Sequence, residues 1–351
     1  MAIGTPGRTG QGLAAMSDTP APPIAPWISA QTAQLLAQRG HAWLLQGPSG
    51  LGQYSLAVAL AQAWLCEQPG EAGACGHCGS CHAISVRTHA DLCVLMPETT
   101  MLDLGWPLSE KAQADIDDKK RKPSKEIRVD AMRDAVEFSQ RTSARGRGKV
   151  VLVFPAEDMN AITANALLKT LEEPPGDVKF VLATEAAHQL LPTIRSRCID
   201  HTMVWPETKA ARQWLLACGI AENDTNVLLA AAGGRPNDAM LYAQSGRNPA
   251  DWAQFPKAMA RGDVVFVKDW TVSQLIDGLH KLSHDMLAHT MGANPRFFAA
   301  KDLQPSAALA ELTEWSRALA RARRTMEHPF NAGLMLEALV AQAKTALNST
   351  H

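Results

Sequence analysis

Apolar residues follow two regimes along this chain. As far as about residue 205 they form short continuous runs separated by glycine turns and helical stretches, and beyond that they recur with helical spacing. Residues 41–46 read as a short buried strand, the glycine-rich turn 47–52 follows, and 54–66 carries a helical pattern. Residues 149–154 and 178–184 are further runs, with the continuous Val/Leu character of parallel strands covered on both faces. Between them, 164–173 reads as a helix stopped by Pro174 and Pro175, which cannot extend its hydrogen-bond ladder. Strands alternating with helices of this length predict an α/β fold built on a doubly wound parallel sheet.

The stretch 101–125 is polar and without clear period, and is expected to be an inserted surface loop. After Trp205 and Pro206 the pattern is helical: a small unit over 206–246, then a longer region over 247–351 that includes 309–326 and 334–347. The expected organisation is therefore three domains, 25–205, 206–246 and 247–351. Residues 1–24, rich in Gly, Ala, Thr and Pro, are expected to form a disordered tail, with Met16 as an alternative start.

Composition narrows the function. With 46% hydrophobic and 20% charged residues, the 351-residue chain can fill well-packed cores. Its 34 Lys and Arg are balanced by 35 Asp and Glu, so no global positive field recruits nucleic acid. No apolar run approaches the roughly 18 to 20 residues of a membrane span, and no secretory core is present, so a cytoplasmic protein is expected. The run from Lys119 to Lys122 is basic, and such a run is more often a solvated face than a DNA grip.

Four of the seven cysteines, Cys66, Cys75, Cys78 and Cys81, lie within 16 residues. Soft thiolates at this spacing favour tetrahedral zinc, and four protein ligands leave no open position for catalysis, so a structural ion is expected. His77 and His82 interleave with the cysteines and are alternative ligands, and four unligated thiols are the bland alternative.

The segment Gly47-Pro-Ser-Gly50-Leu-Gly52-Gln53-Tyr54 has the frame of a phosphate-binding loop at a helix N-terminus. Phosphate chemistry there needs a Lys and then a Ser or Thr for magnesium, and those places hold Gln53 and Tyr54. The strand at 150–154 should deliver an Asp and a Glu, yet Phe154 and Pro155 stand there. Glu157 and Asp158 fall past the strand end and are expected to be exposed loop acids. Hydrolysis in cis is not expected.

Three segments carry a family resemblance: 164–175 with its Leu-Leu-Lys-Thr-Leu-Glu-Glu-Pro-Pro core, 180–184, and Ser196-Arg197-Cys198. In this order and spacing they resemble the AAA+ subunits of bacterial clamp loaders, and the four-cysteine insertion is similar to that family's zinc module. The resemblance covers most of 40–205 and persists weakly in His328-Pro-Phe-Asn331 and 334–337. It implies an AAA+ domain with an inserted zinc module, a helical lid and a helical collar. Within the family the motor subunits, gamma and tau, keep the nucleotide-handling charges, and the delta-prime branch has lost them, as this chain has. Matching 234–239 onto the motor pattern puts Asn237 where a phosphate-sensing Arg would stand, and Thr184 at the relic of the first sensor.

The resemblance further implies a hetero-pentamer with gamma/tau and delta, acting on the sliding clamp and primer-template DNA within the DNA polymerase III holoenzyme, a nucleotidyltransferase. Arg197 would be an arginine finger acting in trans, and the isolated chain would catalyse nothing. The alternatives are an active motor ATPase of the gamma/tau type and a zinc-dependent nucleic-acid binder. The second conflicts with the balanced charge and an aromatic content of only 5%.

Overall fold

The computed structural model describes residues 23–244, 248–303, 307–324 and 331–349. Residues 1–22 of the expected tail, and the His328 to Phe330 part of the family match, lie outside them. The chain divides into two compact units, 1–206 and 207–351.

In the first unit the chain runs through α1 (Pro26–Leu36), β1 (Ala42–Gln46), α2 (Gln53–Leu65), α3 (Gly79–Ser85), β2 (Leu92–Leu95), α4 (Glu98–Asp103), α5 (Glu110–Asp117) and α6 (Val129–Gln140). It continues through β3 (Lys149–Val153), α7 (Ala161–Glu172), β4 (Val178–Thr184), α8 (Pro192–Arg195) and β5 (Ile199–Thr202). The five strands are all parallel, in the order β2-β3-β4-β1-β5. Successive residues of a strand point to opposite faces. Val151, Val153, Phe180 and Leu182 therefore join one apolar layer with Met132 and Leu167 of α6 and α7, while Val150 joins another with Ala61 and Leu65 of α2. Both faces of the sheet are dry, which explains why these strands read as unbroken Val/Leu runs.

The structure corrects one expectation here. The 101–125 stretch is not an irregular loop, since it holds the end of α4 and all of α5. Helix α5 buries none of its residues, so it carries no apolar period to detect. It forms through helix-favouring residues behind Ser109, whose hydroxyl caps the Ala112 N–H. Nor is the basic run wholly solvated: Arg121 grips the nearly buried Glu98 carboxylate with both Nη atoms, at 2.5 and 2.8 Å.

The second unit is helical: α9 (Thr208–Ala217), α10 (Glu222–Ala231), α11 (Pro236–Gln244), α12 (Pro249–Arg261), α13 (Val272–Thr290), α14 (Leu309–Arg324) and α15 (Ala332–Leu347). Ala211, Leu215, Leu228 and Leu229 form a small core among α9 to α11, and a larger core gathers Phe255, Leu279, Trp315 and Val340 from α12 to α15.

Candidate functional site

The glycine loop lies between β1 and α2, at the carboxyl edge of the sheet. Gly52 caps α2 with φ of 95°, a left-handed conformation open to glycine. A Cβ on Gly47 would come within 2.9 Å of the Met203 Cβ, so this end of the loop also requires glycine. The Trp27 indole holds the loop from α1 by donating to the Leu51 carbonyl at 3.3 Å.

Its contents are not those of a phosphate site. The Gln53 amide is buried and turned back on its own loop, donating to the carbonyls of Gly47 and Pro48 at 2.7 and 2.8 Å. The Tyr54 ring packs on Phe154 with centroids 5.3 Å apart, and the Tyr54 hydroxyl accepts the Trp106 Nε1–H at 2.7 Å. Burial pushes the Tyr54 phenol up, against the smaller lowering effects of the Trp106 bond and Arg87. The two places where magnesium ligands are expected thus hold rings that pack on each other, joined by a tryptophan from the segment between α4 and α5.

At the ends of β3 and β4, Thr184 is fully buried in register with Gln46, and its hydroxyl accepts from the Ala186 N–H at 3.1 Å. Glu157 and Asp158 are half-buried rather than exposed, because a 3-10 turn at Ala156–Asp158 folds them back against the strand ends. Glu157 Oε1 accepts the Glu185 N–H at 2.9 Å, while its Oε2 is buried without a hydrogen-bond partner. Burial first, then the charges of Glu157 and Glu126, raise the Asp158 carboxyl above its ordinary range.

Arg197 follows α8 and is half-buried. Its Nε donates to Glu172 Oε1 at 2.6 Å and its Nη2 contacts the same oxygen, while Nη1 donates to the Thr193 carbonyl at 2.8 Å and to Ser196 Oγ at 3.3 Å. The neighbouring Cys198 thiol is pushed up to about 12, mainly by burial, and is poorly reactive. In the second unit, Asn237 is half-buried in the first turn of α11.

The four sulfurs of Cys66, Cys75, Cys78 and Cys81 lie within 4.8 Å of one another. Close pairs stand at 3.7 Å (Cys66 and Cys81), 3.8 Å (Cys66 and Cys78) and 4.0 Å (Cys75 and Cys81). Four thiolates about 2.3 Å from a tetrahedral ion would sit about 3.8 Å apart, so the set fits such an ion. Backbone N–H groups point at the sulfurs: Cys75 N–H to Cys66 at 3.3 Å and Cys81 N–H to Cys78 at 3.4 Å. The Cys81 N–H bond chiefly draws the Cys78 thiol down to about 6, whereas burial pushes Cys81 up to about 12. A cation would relieve that conflict between packed sulfurs. His77 Nδ1 is paired with the Cys75 carbonyl at 2.9 Å and His82 is exposed, so neither joins the set.

Sequence reasoning missed Trp106 and Glu172. Nothing local marks Trp106, which reaches Tyr54 across 52 positions. Glu172 stands inside the motif that carries the resemblance, but its pairing with Arg197 is visible only in three dimensions.

Comparison with known proteins gives this geometry a family. A family model described as DNA polymerase III, delta subunit, matches residues 29–204. The chain is 40% identical over 230 residues to a protein named DNA polymerase III subunit delta′ from Pseudomonas aeruginosa, covering 64% of this chain and 63% of that one. It is also 36% identical over 160 residues to DNA polymerase III subunit tau of Escherichia coli, covering 46% of this chain and 21% of that one. Both matches thus span less than two thirds of the relative's length. A solved DNA polymerase III gamma subunit-related protein from Thermotoga maritima superposes with a TM-score of 0.50 over 92% of this chain and 100% of that one, at 16% identity, a likeness of fold alone. Among the described residues, no helix is long and apolar enough to cross a membrane. The family model covers half of the chain, and with it the glycine loop, the cysteine cluster and Arg197: the chain belongs to the DNA polymerase III, delta subunit family.

Proposed function

We propose that this chain is a non-hydrolysing, delta-prime-type subunit of a DNA polymerase III clamp loader. It supports ATP-dependent loading of the sliding clamp on primed DNA by supplying Arg197 to the ATP site of a neighbouring motor subunit. The observation that carries this reading is the packing of Tyr54 on Phe154 beside a self-bonded Gln53. Its own loop has neither the cation that would meet a phosphate nor the oxygens that would hold magnesium, so any phosphate chemistry it serves lies in another subunit.

Arg197 suits that role because a guanidinium stays charged and offers a planar fork of donors. Elsewhere such a finger is worth about 10³ to 10⁵ in rate, supplied as the transition-state charge develops. Thr184 and Asn237 are relics of the sensors of an active site. Zinc held by Cys66, Cys75, Cys78 and Cys81 is structural: it ties the end of α2 to α3 and leaves no open coordination position. Residues 206–246 form the lid and 247–351 the collar through which the chain joins gamma/tau and delta in a hetero-pentamer. The sliding clamp and primer-template DNA are met through that assembly.

Reconstitution with the gamma/tau and delta subunits of the same organism tests the proposal. The chain should co-elute with them and be required for clamp loading, and a chain that stays apart from the assembly would overturn it.

A further inference from the structure

We infer that Glu172 parks the Arg197 guanidinium in the free chain, so that the finger reaches a neighbour's phosphate only by giving up its own carboxylate. This rests on the trans role proposed above for Arg197 and adds a step to it.

The first reason is donor count. A guanidinium has five N–H donors. The contacts to Glu172, the Thr193 carbonyl and Ser196 Oγ use Nε, both Nη1 hydrogens and one Nη2 hydrogen. A fork onto phosphate oxygens takes two parallel N–H groups, so Glu172 must let go.

The second reason is the placement of Glu172. It is the last residue of α7, against the negative end of the helix dipole, where a carboxylate is unfavourable. Pro174 and Pro175 stop the helix just beyond it. Helix stability therefore does not explain a glutamate here, and the pairing with Arg197 does.

The third reason is what can move. Around Arg197 the backbone is pinned: Ser196 N–H donates to the Pro192 carbonyl at 3.0 Å and Arg197 N–H to the Ile194 carbonyl at 3.1 Å, over a fully buried Ile194. The exchange is a swing of one side chain. The paired side chains are 31% and 47% exposed, so solvent screens the bond and a multiply charged, forked phosphate can displace it.

The test is Glu172→Gln in the assembled loader, with clamp-loading rate followed against ATP concentration. Removing the parking charge should lower the half-saturating ATP concentration about two- to five-fold and leave the maximal rate unchanged. A fall in maximal rate at unchanged half-saturation would mean that Glu172 braces the engaged finger, and no change in either would make the pair an ordinary surface ion pair. Both results overturn the inference. Arg197→Ala, run in parallel, keeps the two levels apart. If that loader works normally the trans role itself fails, whereas a defective Arg197→Ala loader beside an unaltered Glu172→Gln loader removes only the parking step.

Discussion

The Tyr54 ring packs on the Phe154 ring, with centroids 5.3 Å apart and planes tilted by 33°. Each residue stands where a magnesium ligand is expected, and the two rings fill both places. Their contact is apolar, and Trp106 joins the packing through its bond to the Tyr54 hydroxyl. Restoring a hydroxyl at position 54 would leave Phe154 and Trp106 in place.

Partial repair of the glycine loop should therefore fail. Gln53→Lys combined with Tyr54→Thr restores the expected loop chemistry while Phe154, Pro155 and Trp106 remain. The purified variant should hydrolyse radiolabelled ATP no faster than buffer, as should the unaltered chain. Turnover in the double variant would show that Phe154, Pro155 and Trp106 do not close the site.

How much of this the sequence disclosed depends on whether a signal was local. The strands at β1, β3 and β4 were legible because burial on both faces leaves continuous apolar runs, and the cysteine cluster because its ligands are close in sequence. Helix α5 was not, because it buries nothing and is set by its Ser109 cap and helix propensity. Glu157 and Asp158 were misread as exposed because the turn at Ala156–Asp158 that folds them inward has no apolar period of its own. The Trp106 to Tyr54 and Arg197 to Glu172 pairs join residues 52 and 25 positions apart, and tertiary packing alone brings them together.

The ion pair at the start of α4 should make stability depend on pH. Hydrogen bonding from Arg121, above all, holds the Glu98 carboxyl below its ordinary value of 4.5. A depressed folded-state pKa means that the contribution is complete above about 4.5 and is lost as pH falls through the folded value. Glu98→Gln should cost about 1 to 3 kcal/mol at neutral pH, because it weakens a largely buried charged bond. In urea unfolding, the gap between the variant and the parent chain should narrow as the pH falls below the ordinary value of 4.5. A gap that stays constant across that range would assign the loss to packing instead.

The cysteine cluster should hold one zinc per chain. Structural zinc contributes roughly 10 to 16 kcal/mol of apparent binding in small peptides near neutral pH, so its removal should be felt as lost local order. Elemental analysis should return one equivalent, Cys81→Ser should lower it, and chelation should bring down the unfolding temperature. Protein without metal, whose unfolding ignores the chelator, would mark the cluster as reduced thiols only.

The most direct test of the account is Arg197→Ala in the reconstituted loader, read as ATP hydrolysis and clamp loading per complex. The change should leave folding and assembly nearly intact, since a half-exposed ion pair contributes about 1 kcal/mol or less. Total hydrolysis should fall in part, because the remaining motor sites keep their own fingers, while loading falls further. Arg197→Lys should rescue poorly, because a point charge does not reproduce the guanidinium fork. An Arg197→Ala loader that hydrolyses ATP and loads clamps at the parent rate would contradict the trans role and leave the chain a scaffold.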